Sequence, residues 1–223
     1  ASGHKMLDLN NIYQNYINYC DKGDRKSIGK YGHYYIEKYD YHFSKIRTTA
    51  KNVLEVGTMS GASALMWSDY FENANIYTLD RDLPTDNSRW PDFFPPVNME
   101  YVNRIKKSTK IQFIQGDAYD KNMINLLKNI KFDIVIDDGF HSLKTMKFFI
   151  KNYFKLLNTN GIGAIEDIGL DGLATIEKLE KIIKRSRLRG QIFKYDFDND
   201  VNYEITRAKN TKPHDKLIIF EKS

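Results

Sequence analysis

From residue 53 onward, short β-branched apolar runs alternate with amphipathic segments, and no other feature limits the fold of this chain so strongly. The runs are VLEVG (53–57), NIYTLD (75–80), IQFIQ (111–115), FDIVID (132–137) and GIGAIED (161–167). Consecutive apolar positions in so short a run suit strands buried on both faces, and strands that alternate with helices pair in parallel. Between them SALMWSDYF, KNMINLLKNI, SLKTMKFFIKNYFKLL and LATIEKLEKIIKR repeat apolar residues every three or four positions, as helices facing a core do. In the tail, QIFKYDF (191–197) and KLIIFEK (216–222) flank a polar stretch with Asn210 and Pro213 and read as a closing antiparallel pair.

The expected fold class is therefore α/β: a Rossmann-like, seven-stranded, mostly parallel sheet with an antiparallel closing strand and helices on both faces. Residues 6–50 are rich in Tyr and helical in pattern, and are expected to lie across the site as an N-terminal cap. Residues 1–4 (ASGH) read as a cloning remnant, 5–50 as the cap and 51–223 as the main domain, with one domain in all. Residues 81–104 hold four of the five prolines (Pro84, Pro91, Pro95, Pro96) beside Trp90, Phe93 and Phe94, and read as a functional loop.

Composition removes several classes. With 223 residues, 41% hydrophobic and 28% charged, the chain can bury a full core and is neither fibrous nor disordered. No run nears the roughly 20 apolar residues of a membrane span, the mean hydropathy is -0.57, and no leader pattern opens the chain. One cysteine, Cys20, suits a reducing compartment, so the expected location is cytoplasmic, with no membrane partner. The net charge of +5 and pI near 9.0 fit phosphorylated small molecules as well as nucleic acid. Lysines spread along the whole chain without an RNA-binding motif, which favours the small molecule. The basic helix Lys178–Arg189 reads as a solvated face.

Chemistry concentrates at the strand ends. Glu55-Val-Gly57-Thr-Met-Ser60-Gly61 ends the first strand and opens a helix, where glycines permit a sharp turn and free N–H groups face an anion. The spacing is not that of the dinucleotide fingerprint. Asp80, ending the second strand, can accept both hydroxyls of a ribose or simply cap a helix. Gln115-Gly116-Asp117-Ala118, after the third, can border an adenine. Asp137-Asp138-Gly139-Phe140-His141 follows the fourth strand and Glu166-Asp167 the fifth. Carboxylates on neighbouring strands about 4.8 Å apart repel unless a cation joins them, and hard oxygen donors point to Mg²⁺, Ca²⁺ or Mn²⁺. His141 can be a further ligand, a structural histidine or a general base. His33 can pack a helix or touch a ligand.

At these residues the sequence resembles the class I S-adenosylmethionine-dependent methyltransferases. More narrowly, it is similar to the metal-dependent sugar O-methyltransferases of the macrolide-sugar and cephalosporin-hydroxylase-like family. The matching segments are VLEVGTMSGASALMW (53–67), YTLDRD (77–82), IQFIQGDAYD (111–120), FDIVIDDGFH (132–141) and GIGAIEDI (161–168), with Asp21-Lys22 and His33-Tyr34 upstream. The resemblance implies Asp138, Glu166 and Asp167 as metal ligands for Mg²⁺ or Mn²⁺ and His141 as base, with Asp138 shared between metal and catalysis. It implies Glu55, Gly57 and Ser60 around the methionine of S-adenosylmethionine, Asp80 at its ribose, and Asp117 and Ala118 at its adenine. Phe140 stands where relatives carry a small residue.

The implied reaction is methylation of a sugar hydroxyl, the sugar being nucleotide-activated or glycoside-linked, for a polysaccharide or natural product. Arg81, Arg89 and Arg104 could meet a diphosphate, and Trp90, His33 and Tyr34 line the expected acceptor side. The alternatives are a catechol-type O-methyltransferase, whose pocket needs no such cations, and a non-catalytic nucleotide- or RNA-binding protein. A homo-oligomer is compatible with the sequence.

Overall fold

The computed structural model describes residues 6–22, 34–82, 98–197 and 215–223. Seven strands form one sheet: β1 (Asn52–Val56), β2 (Asn75–Asp80), β3 (Ile111–Gln115), β4 (Phe132–Asp137), β5 (Leu157–Ile165), β6 (Gly190–Asp196) and β7 (Lys216–Lys222). Their spatial order is β3-β2-β1-β4-β5-β7-β6. The first five pair in parallel, while β7 lies antiparallel between β5 and β6. The antiparallel strand is thus second from the edge, and β6 closes the sheet.

Helices cover both faces, each through an apolar stripe. On one face lie α1 (Leu9–Tyr13), α2 (Ile36–Phe43), α3 (Ala62–Tyr70) and α4 (Met99–Lys107); on the other lie α5 (Lys121–Leu127), α6 (Leu143–Asn152) and α7 (Ile176–Arg185). Leu9, Ile12, Tyr39 and Phe43 of the N-terminal cap share one buried cluster with Val53, Trp67, Ile134 and Ile219. Leu54, Val135, Phe149, Leu179 and Ile218 belong to the opposite cluster. Within each strand, consecutive residues serve alternate clusters, as the pleat requires.

Two elements differ from the sequence expectation. Helix α4 occupies the end of the proline-rich stretch, beyond the last proline of that segment. Asn98 caps it by accepting the Glu100 N–H at 3.0 Å, and Tyr101, Val102 and Ile105 form its buried side. Strand β5 begins at Leu157 rather than Gly161, because Leu157 pairs with Phe132 before the register shifts. No helix among the described residues is long and apolar enough to cross a membrane.

Candidate active site

The chain leaves β1 for β2 and β3 on one side, then returns to β4 on the other, so β1 and β4 diverge at a topological switch point. Ligands of open parallel sheets bind in the crevice beyond the strand ends at such a point. Gly57 makes the crevice possible: its φ is 98°, and a Cβ there would stand 2.1 Å from the Asp138 carbonyl oxygen. The ladder continues beyond the strands, with Asp138 N–H donating to the Val56 carbonyl and Glu166 N–H to the Asp137 carbonyl, each at 3.0 Å.

That register decides which acids meet. Glu55 lies opposite Ile136, and Ile136 opposite Ala164, all facing the cap side. Two positions further along, Asp138 and Glu166 face the same way. Asp137 turns to the other face, where its Oδ1 accepts the Tyr119 hydroxyl at 2.7 Å.

A lysine stands among the acids. Lys22 is a buried residue, 1% exposed, and its ammonium lies 2.8 Å from Asp138 Oδ2, 2.9 and 2.6 Å from Glu166 Oε1 and Oε2, and 3.2 Å from Glu55 Oε2. Burial pulls the Lys22 pKa down, but Asp138, Glu166 and Glu55 together override it and hold the amine well above its ordinary value. Burial raises Asp138 to about 6 against the opposing pull of Lys22. Burial, with Asp138 beside it, also lifts Glu166 well above the usual carboxylate range. Two cap hydroxyls complete the set: Tyr35 donates to Asp167 Oδ1 at 2.7 Å and Tyr39 to Glu166 Oε1 at 2.8 Å.

The outer side of the cluster is more open. Asp138, His141 and Asp167 bring one donor atom each within 4.8 Å of one another, as do Glu55, Asp138 and Glu166. His141 Nε2 is 3.6 Å from both Asp138 Oδ1 and Asp167 Oδ2. This is too long for hydrogen bonds and leaves the His141 ring beside the two carboxylates. The carboxylate oxygens of Asp138, Glu166 and Asp167 are the hard donors that suit a divalent cation such as Mg²⁺ or Mn²⁺. His141 (φ 58°) and Asp167 (φ 53°) both adopt the left-handed region, a strained conformation that concentrates at functional sites.

The other residues singled out in the sequence surround this centre. Glu55 is fully buried and accepts hydrogen bonds from the Ser63 hydroxyl and, at 3.1 Å, the Trp67 indole N–H. Ser60 donates to the Tyr19 carbonyl at 3.2 Å, tying the glycine turn to the cap. Asp80 accepts the Thr58 N–H at 2.9 Å and so braces the turn from β2. Asp117 is exposed and accepts the Tyr119 N–H at 2.9 Å, while Ala118 is buried and its carbonyl accepts the Tyr153 hydroxyl at 2.5 Å. Arg81 is exposed just past β2, and Tyr34 is half-buried with φ 65°. Arg104 donates to the Tyr16 hydroxyl at 3.1 Å. His33, Arg89 and Trp90 lie outside the described residues.

Sequence reasoning matched Lys22 to a pattern without giving it a role, and it passed over Tyr35 and Tyr39. Their spacing of four places both hydroxyls on one side of a helical turn, and Ile36, Tyr39 and Phe43 recur at helical intervals. That pattern, a short way after Asp21-Lys22 in a Tyr-rich segment, was the available signal.

No family profile matches the chain. Among curated proteins it is similar to an 8-demethyl-8-(2-methoxy-alpha-L-rhamnosyl)-tetracenomycin-C 3'-O-methyltransferase of Streptomyces olivaceus, 26% identical over 68% of this chain and 38% of that protein. It is also similar to the mycinamicin VI 2''-O-methyltransferase of Micromonospora griseorubida, 28% identical over 61% of this chain and 32% of the relative. The matched region thus spans well under half the length of these relatives. The MycE methyltransferase of mycinamycin biosynthesis, solved with Mg and SAH, superposes with a TM-score of 0.67 at 21% identity, covering 98% of this chain and 55% of that one. In fold, then, the chain is like this S-adenosylhomocysteine-bound methyltransferase, and in sequence it is similar to O-methyltransferases acting on a rhamnosyl tetracenomycin and on mycinamicin VI.

Proposed function

We propose that this chain is an S-adenosylmethionine- and divalent-metal-dependent O-methyltransferase that methylates a sugar hydroxyl. The observation that carries the reading is the convergence of Asp138, His141, Glu166 and Asp167 beside the β1 glycine turn, at the switch point of the sheet. The curated relatives, named for O-methylation of a rhamnosyl tetracenomycin and of mycinamicin VI, support the acceptor class. The finer reading is a nucleotide-activated or glycoside-linked sugar for polysaccharide or natural-product synthesis in the cytoplasm.

In this reading Asp138, Glu166 and Asp167 hold the metal. Glu55, Gly57 and Ser60 bound the methionine end of the cofactor, Asp80 its ribose, and Asp117 and Ala118 its adenine. When bound, the metal supplies positive charge that acidifies a chelated hydroxyl, and the cofactor supplies an electrophilic methyl group. His141 accepts the proton of the acceptor hydroxyl as that oxygen takes the methyl group, leaving the methyl ether and S-adenosylhomocysteine. The strand ends fix the orientation, which provides most of the rate together with charge stabilisation of the developing alkoxide. Arg81 and Arg89 would meet a diphosphate, and Trp90, His33 and Tyr34 would border the sugar.

The test is S-adenosylhomocysteine release, read by mass spectrometry, over nucleotide sugars, rhamnosylated glycosides and catechols, with Mg²⁺ and with EDTA. Turnover of a sugar that EDTA abolishes is the expected result. Turnover of catechols alone replaces the acceptor class, and metal-independent turnover removes the carboxylates from the chemistry.

A further inference from the structure

Within the metal reading Lys22 has no task, although it is the most tightly held cation of the described site. We propose that Lys22 is an exchangeable internal counter-ion, whose ammonium occupies the Asp138–Glu166 pair in the metal-free protein and withdraws when a divalent cation binds. The inference rests on the metal reading above and concerns how the site is filled.

Three observations carry it. First, the ammonium engages one oxygen of Asp138 and both oxygens of Glu166 at 2.6–2.9 Å, leaving Glu166 no oxygen free of it. A divalent ion held by these carboxylates needs oxygens at about 2.0–2.6 Å and so claims the same space, and two cations that close repel strongly. Second, the other half of the donor set is differently occupied. Asp167 meets the neutral Tyr35 hydroxyl, and His141 stands 3.6 Å from its carboxylate neighbours. The latch therefore lies across one side of the site only.

Third, the anchor of the latch is independent of its head. The Lys22 carbonyl accepts the N–H groups of Tyr35 at 2.7 Å and Ile36 at 3.2 Å, which ties the backbone to the start of α2. The flexible four-carbon stem can then swing while the main chain stays in place. The arrangement has a physical purpose, since buried carboxylates left uncompensated are costly. An ammonium tethered nearby keeps the site folded until the metal arrives, and it sets a threshold that the metal must exceed.

The experiment is calorimetric titration of Mn²⁺ alone into the full chain and into Lys22→Met. The variant should bind Mn²⁺ at least tenfold more tightly, because the competitor is gone. Equal or weaker binding overturns the proposal. Should Lys22→Met fail to fold, the wild-type chain provides the reading: acetylation of the Lys22 amine, followed by peptide mass spectrometry, should accelerate when Mn²⁺ saturates the site. Protection that Mn²⁺ leaves unchanged shows an ammonium that stays put and sinks the latch alone. Absence of Mn²⁺ binding to either protein refutes the metal reading, and the latch falls with it.

Discussion

Asp137 and Asp138 are chemically identical neighbours with opposite tasks, and the strand pleat alone separates them. Asp138 joins Lys22 and His141 on the cap side, while Asp137 Oδ1 takes the Tyr119 hydroxyl at 2.7 Å and its Oδ2 is buried without a hydrogen-bond partner. Asp138→Asn should therefore lose most Mn²⁺ affinity, whereas Asp137→Asn should keep it within a few-fold. Equal losses by calorimetry would contradict the division. The sequence made the acid pair conspicuous, and alternation predicts that the two must split, but their direction depends on register with β1 and β5. Lys22 was less legible still, since its partners Glu55, Asp138 and Glu166 are remote in the chain and only the closed sheet brings them together.

A second residue, outside the site, responds to pH. His42 is fully buried, with Nδ1 2.6 Å from Glu221 Oε1 and Nε2 2.7 Å from the Tyr195 hydroxyl. Burial, outweighing the attraction of Glu221 and assisted by Lys45 and Lys38, holds its pKa below 6.5. A histidine depressed in the folded state leaves the unfolded chain to take up the proton first, so this contribution to stability is lost as pH falls below about 6.5. The thermal midpoint of the wild type should drop faster than that of His42→Gln between about pH 6.5 and 5. Parallel curves would remove His42 from the acid response.

Among the elements, the turn after β1 and the start of α6 make contrasting tests. A methyl group at Gly57 would stand 2.1 Å from the Asp138 carbonyl oxygen, and the φ of 98° is unfavourable for any L side chain. Gly57→Ala should lower stability by more than about 1 kcal/mol and weaken Mn²⁺ binding, because the clash displaces the backbone that carries Asp138. Ser142, by contrast, caps α6 through the Thr145 N–H at 3.1 Å with a reciprocal bond from its own N–H. Ser142→Ala should cost about 1 kcal/mol in urea denaturation and leave metal affinity unchanged. Strands β1 to β4 were legible because each is a short run rich in Val, Ile, Leu and aromatic residues between helical patterns. The first part of β5 was not, since Asn158, Thr159 and Asn160 read as a loop, and α4 was masked by the prolines before it although Tyr101, Val102 and Ile105 carry its stripe.

For the molecule as a whole, the sequence expectation made residues 5–50 a cap within one domain, and the described part of that segment packs into the main core. Leu9, Ile12, Ile36 and Phe43 are at most 5% exposed and lie in one cluster with Val53 and Ile134 of the sheet and Trp67 of α3. At roughly 1.5–3 kcal/mol per buried side chain, these four contribute on the order of 10 kcal/mol, comparable with the total stability of about 5–15 kcal/mol usual for a domain. A cap that carries so much cannot detach while the sheet stays folded. Tyr39 and Phe43 also pack edge-on to Trp67, at 5.4 and 5.5 Å between ring centres. Trp67 therefore reports on the boundary between the cap and α3. In a Trp90→Phe background, urea unfolding followed by Trp67 fluorescence and by far-ultraviolet circular dichroism should give coincident transitions. A fluorescence transition at lower urea than the loss of secondary structure would mean that the cap opens as a separate unit. The displacement of Lys22 would then involve the whole N-terminal segment rather than one side chain.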